Sequence, residues 1–318
     1  MPVHPELTER FALLEGITSM REAYADPDFR ARIQAFEDGN AGDAPPDVPT
    51  RADAAPGPHG AVPVRVYAGA EGALAPCLVW LHGGGFIGGD LDMREADWTS
   101  RAVAAGAGAV VVSVDYRLAN DGIHYPVPHD DAVAAVAWVR DNAESLGIDP
   151  ARIAVGGASA GANLSCGAVL RLRDRDDWVP AALALVYGVF HPIIPAPSLD
   201  LTRALSELPP VMRGDRGDTT LTENYLGAPV SEATGYAMPA LARLSGLCPT
   251  VLINAEYDGL RSSAEAFAGD LARAGVDVRQ VQARGLTHGF LNHGSVLPPI
   301  AAVHSLLAAT VAEAGVVG

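Results

Sequence analysis

Two hydrophobic periodicities alternate along most of the chain. Residues 62–67 (VPVRVY) alternate apolar and polar positions as a half-buried strand does. Short, mostly apolar runs follow: CLVWL (77–81), AVVVSV (109–114), RIAV (152–155), AALALVY (181–187), TVLINA (250–255) and VDVRQV (276–281). Near-continuous Val, Ile and Leu in runs this short predicts strands buried on both faces. Between most of them, residues 92–106, 127–145, 160–174, 260–274 and 296–314 read as helices. Strand alternating with helix predicts an α/β architecture, a largely parallel sheet with helices on both faces.

Two stretches break this rhythm. At the start, Phe11, Leu14, Ile17 and Tyr24, then Phe29, Ile33 and Phe36, recur at roughly helical spacing before Pro- and Gly-rich sequence (AGDAPPDVP, AAPGPHG) ends the pattern. Such amphipathic helices must dock on something to be stable. Further on, from Phe190 to Ala240, about fifty residues carry many Pro, Gly and Asp and no clear strand, which predicts a lid rather than a bare loop. The expected organisation is N-terminal cap helices over 1–45, a core formed by 46–190 and 241–318, and a cap insertion over 191–240.

Composition narrows the function classes. A net charge of −16 without any local run of Lys or Arg argues against a nucleic-acid partner. Cys77, Cys166 and Cys248 lack CxxC spacing and an even count, and read as reduced, buried thiols. No stretch approaches 18 uncharged apolar residues and the N-terminus lacks a signal-peptide core, so no membrane span is expected and the protein reads as soluble and cytoplasmic. No HExxH, paired Cys or carboxylate cluster suggests a metal, and no cofactor is called for.

The strand RIAV runs into GGASAGANL, where Gly157, Ser159 and Gly161 satisfy G-x-S-x-G and an apolar helix follows. Strand, sharp turn, helix is the setting in which small flanking residues let a serine hydroxyl stand exposed as a nucleophile. An ordinary glycine-rich turn would look the same. A second signal is HGGGF, with His82 directly after CLVWL and then Gly83, Gly84 and Gly85. Glycines there allow backbone N–H groups to turn toward an oxyanion, with His82 holding the loop. The same stretch satisfies G-x-G-x-x-G through Gly83, Gly85 and Gly88, with Asp115 ending the next strand. A dinucleotide site needs a helix opening inside the glycines, whereas Gly88, Gly89 and Asp90 continue as loop and Asp92 reads as the first helix cap.

A serine needs a base, and in this kind of fold the partners follow it in the order acid, then histidine. His288, in the turn ARGLTHGF after the strand VDVRQV, is the expected base, with His293 the alternative; His191 precedes the best acid and His304 falls within the last helix. For the acid, TVLINA ends in Glu256, Tyr257, Asp258, and either carboxylate emerges where ligands meet an open parallel sheet.

Taken in order, HGGGF, GDLDMREADWTSRAVAAGAGAVVVSVDYRLA, GASAGANL, EYDGLR and HGF resemble the hormone-sensitive-lipase group of α/β-hydrolases over Cys77 to Phe290. The resemblance implies the α/β-hydrolase fold: eight mostly parallel strands, one antiparallel, under a helical cap made from the N-terminal segment and the insertion after Tyr187. It implies Asp258 as the triad acid, and Gly84, Gly85 and Ala160 as oxyanion donors. The chain departs from the group's pattern at Ala158, Gly188, Gly259 and Ser262, none of them a triad position.

The expected activity is hydrolysis of small carboxylic esters by Ser159, His288 and Asp258, with short- to medium-chain acyl or small aryl and alkyl esters as substrates. Candidates for the substrate pocket are Phe86, Tyr187, Phe190, Leu208, Met212, Leu260 and Phe290. Amidase, deacetylase or lyase chemistry on the same scaffold, or a receptor that has lost turnover, are the alternatives. The resemblance also implies that a homodimer is possible.

Overall fold

The computed structural model of the chain describes residues 2–19, 22, 26–39, 43–69, 74–213, 217–294 and 297–316. Eight strands form one sheet: β1 (Thr50–Ala55), β2 (Val62–Tyr67), β3 (Ala75–Leu81), β4 (Val110–Val114), β5 (Ile148–Ala158), β6 (Ala182–Val186), β7 (Thr250–Tyr257) and β8 (Val278–Thr287). Their order is β1-β2-β4-β3-β5-β6-β7-β8. Only β2 runs against its neighbours β1 and β4; every other pairing is parallel.

Side chains alternate across each strand, so a sheet covered on both faces needs apolar residues at successive positions. In β3, Cys77, Val79 and Leu81 enter one core with Ala132 and Val136 of α4 (Val127–Asp141), Leu164 and Val169 of α5 (Ala160–Asp176), and Phe267 of α9 (Arg261–Arg273). Leu78 and Trp80 enter the other with Val103 of α3 (Arg94–Ala107) and Val303 and Leu307 of α10 (Pro298–Glu313). The expected helices and buried strands are thus present, with shifted ends.

Three local readings change. β1, TRADAA, is a strand that apolar patterning does not reveal, because it pairs at the sheet edge and buries only Ala55. β5 and β8 continue beyond their apolar runs, because backbone pairing persists where one side chain faces solvent. Asp92 is not the cap of α3: it is exposed and pairs with Arg65 at 2.7 Å. The carboxylate of Asp90 shapes that turn instead, accepting the N–H groups of Asp92 (2.8 Å) and Met93 (3.0 Å).

The leading segment forms α1 (Pro5–Thr8), a short 3-10 turn (Phe11–Leu14) and α2 (Pro27–Asp38). Leu7, Leu14, Ile17 and Phe36 bury themselves in the second core, each contributing about 1.5–3 kcal/mol relative to exposure. The N–H of His4 donates to Gly285 at 2.8 Å, and the Phe36 ring meets His293 at 5.3 Å. Tyr24 lies outside the described residues. The insertion folds as short helices, α6 (Leu199–Ser206), α7 (Pro210–Arg213) and α8 (Thr220–Leu226), which bury Leu201, Val211 and Tyr225. All three cysteines are free and buried. Among the described residues no helix is long and apolar enough to cross a membrane.

Candidate active site

The carboxyl ends of β3, β5, β7 and β8 bring together residues that the sequence holds far apart. β5 ends at Ala158, and Ser159 turns directly into α5 with φ 52° and ψ −116°. A left-handed φ is costly for a serine, and is held here by the close packing of strand, turn and helix. Only glycine fits at position 161: a Cβ there would lie 2.1 Å from the carbonyl oxygen of Leu81 in β3.

Ser159 Oγ lies 3.0 Å from His288 Nε2, and His288 Nδ1 lies 2.8 Å from Asp258 Oδ2. The other oxygen of Asp258 accepts the N–H of Leu260 at 2.8 Å, which fixes the carboxylate, itself 1 % exposed. Burial disfavours charge on His288, but the charge and hydrogen bond of Asp258, joined by the charge of Glu95, outweigh it and hold the imidazole pKa above its ordinary 6.5. This arrangement can accept the serine proton at Nε2 while Nδ1–H donates to Asp258.

Beside the serine runs the glycine loop that leaves β3. The loop from Gly83 to Met93 contains no helix, so the dinucleotide alternative lacks the helix N-terminus it requires. Gly84 has φ 108°, and a Cβ there would meet the Gly88 carbonyl oxygen at 2.1 Å. His82 is buried and takes the structural role expected of it. Its Nδ1 donates to the Gly83 carbonyl at 2.7 Å, and its ring stacks on Tyr116 at 4.4 Å. The N–H groups of Gly84, Gly85 and Ala160 find no acceptor among the described residues. Ala160 opens α5, so its N–H is one of the unsatisfied donors at a positive helix end.

A model of the family described as alpha/beta hydrolase fold matches residues 78–292. The chain belongs to this family, in its hormone-sensitive-lipase group. It is 38 % identical over 246 residues to the carboxylesterase NlhH of Mycobacterium tuberculosis, a match covering 76 % of this chain and 74 % of that one. It is 33 % identical over 237 residues to an arylesterase of Saccharolobus solfataricus, covering 72 % and 73 %. The solved structure of a hyperthermophilic esterase from Pyrobaculum calidifontis superimposes with a TM-score of 0.82 at 30 % identity, over 98 % of this chain and 99 % of that one.

The alternative catalytic residues are engaged elsewhere in the hydrolase. Glu256 accepts the N–H of Gly285 at 2.7 Å. His293 packs under Phe36, and burial pulls its pKa down to about 4. His191 Nδ1 meets Ser263 Oγ at 2.9 Å, and His304 Nε2 meets Thr99 Oγ1 at 3.4 Å.

The expected pocket residues divide. Phe190 stacks on Phe267 at 4.3 Å, and Phe86 on Tyr225 of α8 at 3.9 Å. Both are core and offer no free face. Leu208, Tyr187 and Phe290 are equally enclosed, though Tyr187 and Phe290 touch the catalytic region: the Tyr187 ring stands edge-on 5.0 Å from His288 and 4.9 Å from Phe290. Met212 and Leu260 keep partial exposure. Two residues went unsignalled in the sequence. Leu221 of α8 overhangs the glycine loop, and would touch a Cβ on Gly85 at 3.4 Å. Glu95, an acid in the first turn of α3, is buried with its carboxylate against the Gly83 N–H and the Tyr187 hydroxyl.

Proposed function

We propose that this carboxylic-ester hydrolase works through an acyl-enzyme on Ser159. Ser159 Oγ bonds to the ester carbonyl carbon as its proton passes to His288 Nε2, and the N–H groups of Gly84, Gly85 and Ala160 receive the negative oxygen. The intermediate collapses, and His288 returns the proton to the departing alkoxide. Water, deprotonated by His288, then attacks the acyl carbon, and the acid leaves as Ser159 regains its proton. Asp258 fixes the tautomer and stabilises the imidazolium. The observation that carries this reading is the unbroken line of contacts from Ser159 Oγ to His288 to Asp258, at 3.0 and 2.8 Å.

Residues 1–45 and 191–240 form the cap over a core of 46–190 and 241–318. The overhang of Leu221 supports this, as does the docking of α2 beside residues 290–294, next to His288. Short- to medium-chain acyl esters or small aryl and alkyl esters are the substrates, a reading supported by the enclosed aromatic surroundings of the triad and by the named activities of the relatives.

A fluorophosphonate tests the mechanism. It should label Ser159 alone, with esterase activity lost in step, and Ser159→Ala should abolish labelling and nearly all turnover. Labelling at another residue, or full activity in Ser159→Ala, overturns the mechanism. Labelling without turnover of any ester favours a lyase or a receptor.

A further inference from the structure

Glu95 is a buried carboxylate that pairs with no Lys or Arg among the described residues. Its neighbour Arg94 turns away to Asp38 at 2.7 Å. Enclosing an acid costs several kcal/mol unless hydrogen bonds satisfy it, and its two oxygens are spent on particular partners. One accepts the N–H of Gly83, and the other accepts the hydroxyl of Tyr187 at 2.5 Å. Its backbone is anchored as well: its carbonyl accepts from Trp80 Nε1 at 3.0 Å, and its N–H donates to Asn292 Oδ1 at 3.2 Å.

We propose that Glu95, braced by Tyr187, is a positioning residue that fixes the direction of the oxyanion-binding N–H groups. The inference rests on the hydrolytic reading of the site. The His82–Gly83 peptide is gripped on both sides, its carbonyl by the Tyr116 hydroxyl at 2.8 Å and its N–H by Glu95. The next peptide carries the Gly84 N–H, and its carbonyl is held by His82 at 2.7 Å. Three successive glycines give this loop wide conformational freedom, so each anchored peptide removes ways for the donors to point elsewhere. Space is as tight as the bonding: a Cβ on Gly83 would lie 2.7 Å from Glu95 Oε1 and 3.1 Å from Ser159 Cβ. Tyr187 ties the same carboxylate to the base, since its ring stands edge-on to His288 while its hydroxyl bonds Glu95. A residue serving only as a favourable acid at the start of α3 would need neither contact.

The test uses full-length protein, p-nitrophenyl butyrate as substrate, and a trifluoromethyl ketone, which adds to Ser159 and places an oxyanion where the transition state does. Glu95→Gln keeps one acceptor oxygen where the Gly83 N–H and the Tyr187 hydroxyl need two, and should lower kcat by roughly thirtyfold or more with KM little changed, and weaken ketone affinity by a similar factor, because misdirected N–H groups weaken only the tetrahedral state. Tyr187→Phe keeps the ring beside His288 and should show the same pattern at about five- to tenfold. The double variant should be no worse than Glu95→Gln, because the two side chains act as a unit. If Glu95→Gln does not fold, Tyr187→Phe decides alone. Wild-type kcat and ketone affinity in the folded variants overturn the proposal, as does a loss of kcat with ketone affinity unchanged. A wild-type protein that neither turns over the ester nor labels at Ser159 instead overturns the reading of the site itself.

Discussion

The imidazole of His288 and the carboxylate of Asp258 face each other at 2.8 Å with the carboxylate almost wholly enclosed, so the charge of the acid acts on the base with little solvent screening. The base must be neutral to take the serine proton, and its pKa is held above 6.5. The acid limb of kcat/KM should therefore lie at higher pH than for a free imidazole, with activity lost as pH falls through it. The sign for stability is opposite. A histidine with a raised folded pKa stabilises fully below the unfolded value and loses that contribution as pH rises through the folded one. The Tm difference between wild type and Asp258→Asn should accordingly shrink with increasing pH, and a limb at or below 6.5 would contradict the assignment.

The two neighbouring acids should separate cleanly. Asp258→Asn should lower turnover by about four orders of magnitude, through the wrong imidazole tautomer. Glu256→Gln should leave turnover unchanged, since the amide oxygen can still accept from Gly285. Steady-state kinetics of both variants decide this, and the reverse pattern would exchange their roles.

At Gly84, alanine meets both a left-handed backbone and the Gly88 carbonyl. Gly84→Ala should reduce kcat by about 10²–10³ by misplacing an oxyanion donor, with KM nearly constant. Retained kcat would remove this loop from the chemistry.

Leu221 is the side chain that reaches over Gly85. Leu221→Ala should shift preference toward longer or bulkier acyl groups by about tenfold relative to acetate, the usual discriminating power of a few methylenes in an apolar pocket. A series of p-nitrophenyl esters reads this directly, and an unchanged profile would place the acyl site elsewhere.

What could be read from the chain follows from where information is local. Strands such as CLVWL announce themselves because both faces are buried. Ser159, Asp258 and His288 stand out because each sits just past such a strand, where a parallel sheet exposes its ends, and the structure sets the three side chains in one line of contacts. β1 was silent because an edge strand with one buried residue has no apolar pattern. Glu95 was hidden because its importance lies in partners twelve residues earlier and ninety-two later, contacts that no period encodes. Phe190 misled because an aromatic one strand-length from the nucleophile fits a pocket and a core equally well, and packing with Phe267 decided it.

The contact between position 161 and the Leu81 carbonyl has a bearing on how such proteins diversify. With no room for even a methyl group where the turn after Ser159 presses on β3, that turn cannot drift by small steps, and a lineage carrying it inherits its reactive geometry intact. Leu221 of α8, beside the neighbouring glycine loop, makes no comparably forced approach: a Cβ on Gly85 would meet it at an ordinary 3.4 Å, so that contact tolerates change. Change can then accumulate at such side chains while the turn after Ser159 keeps its shape.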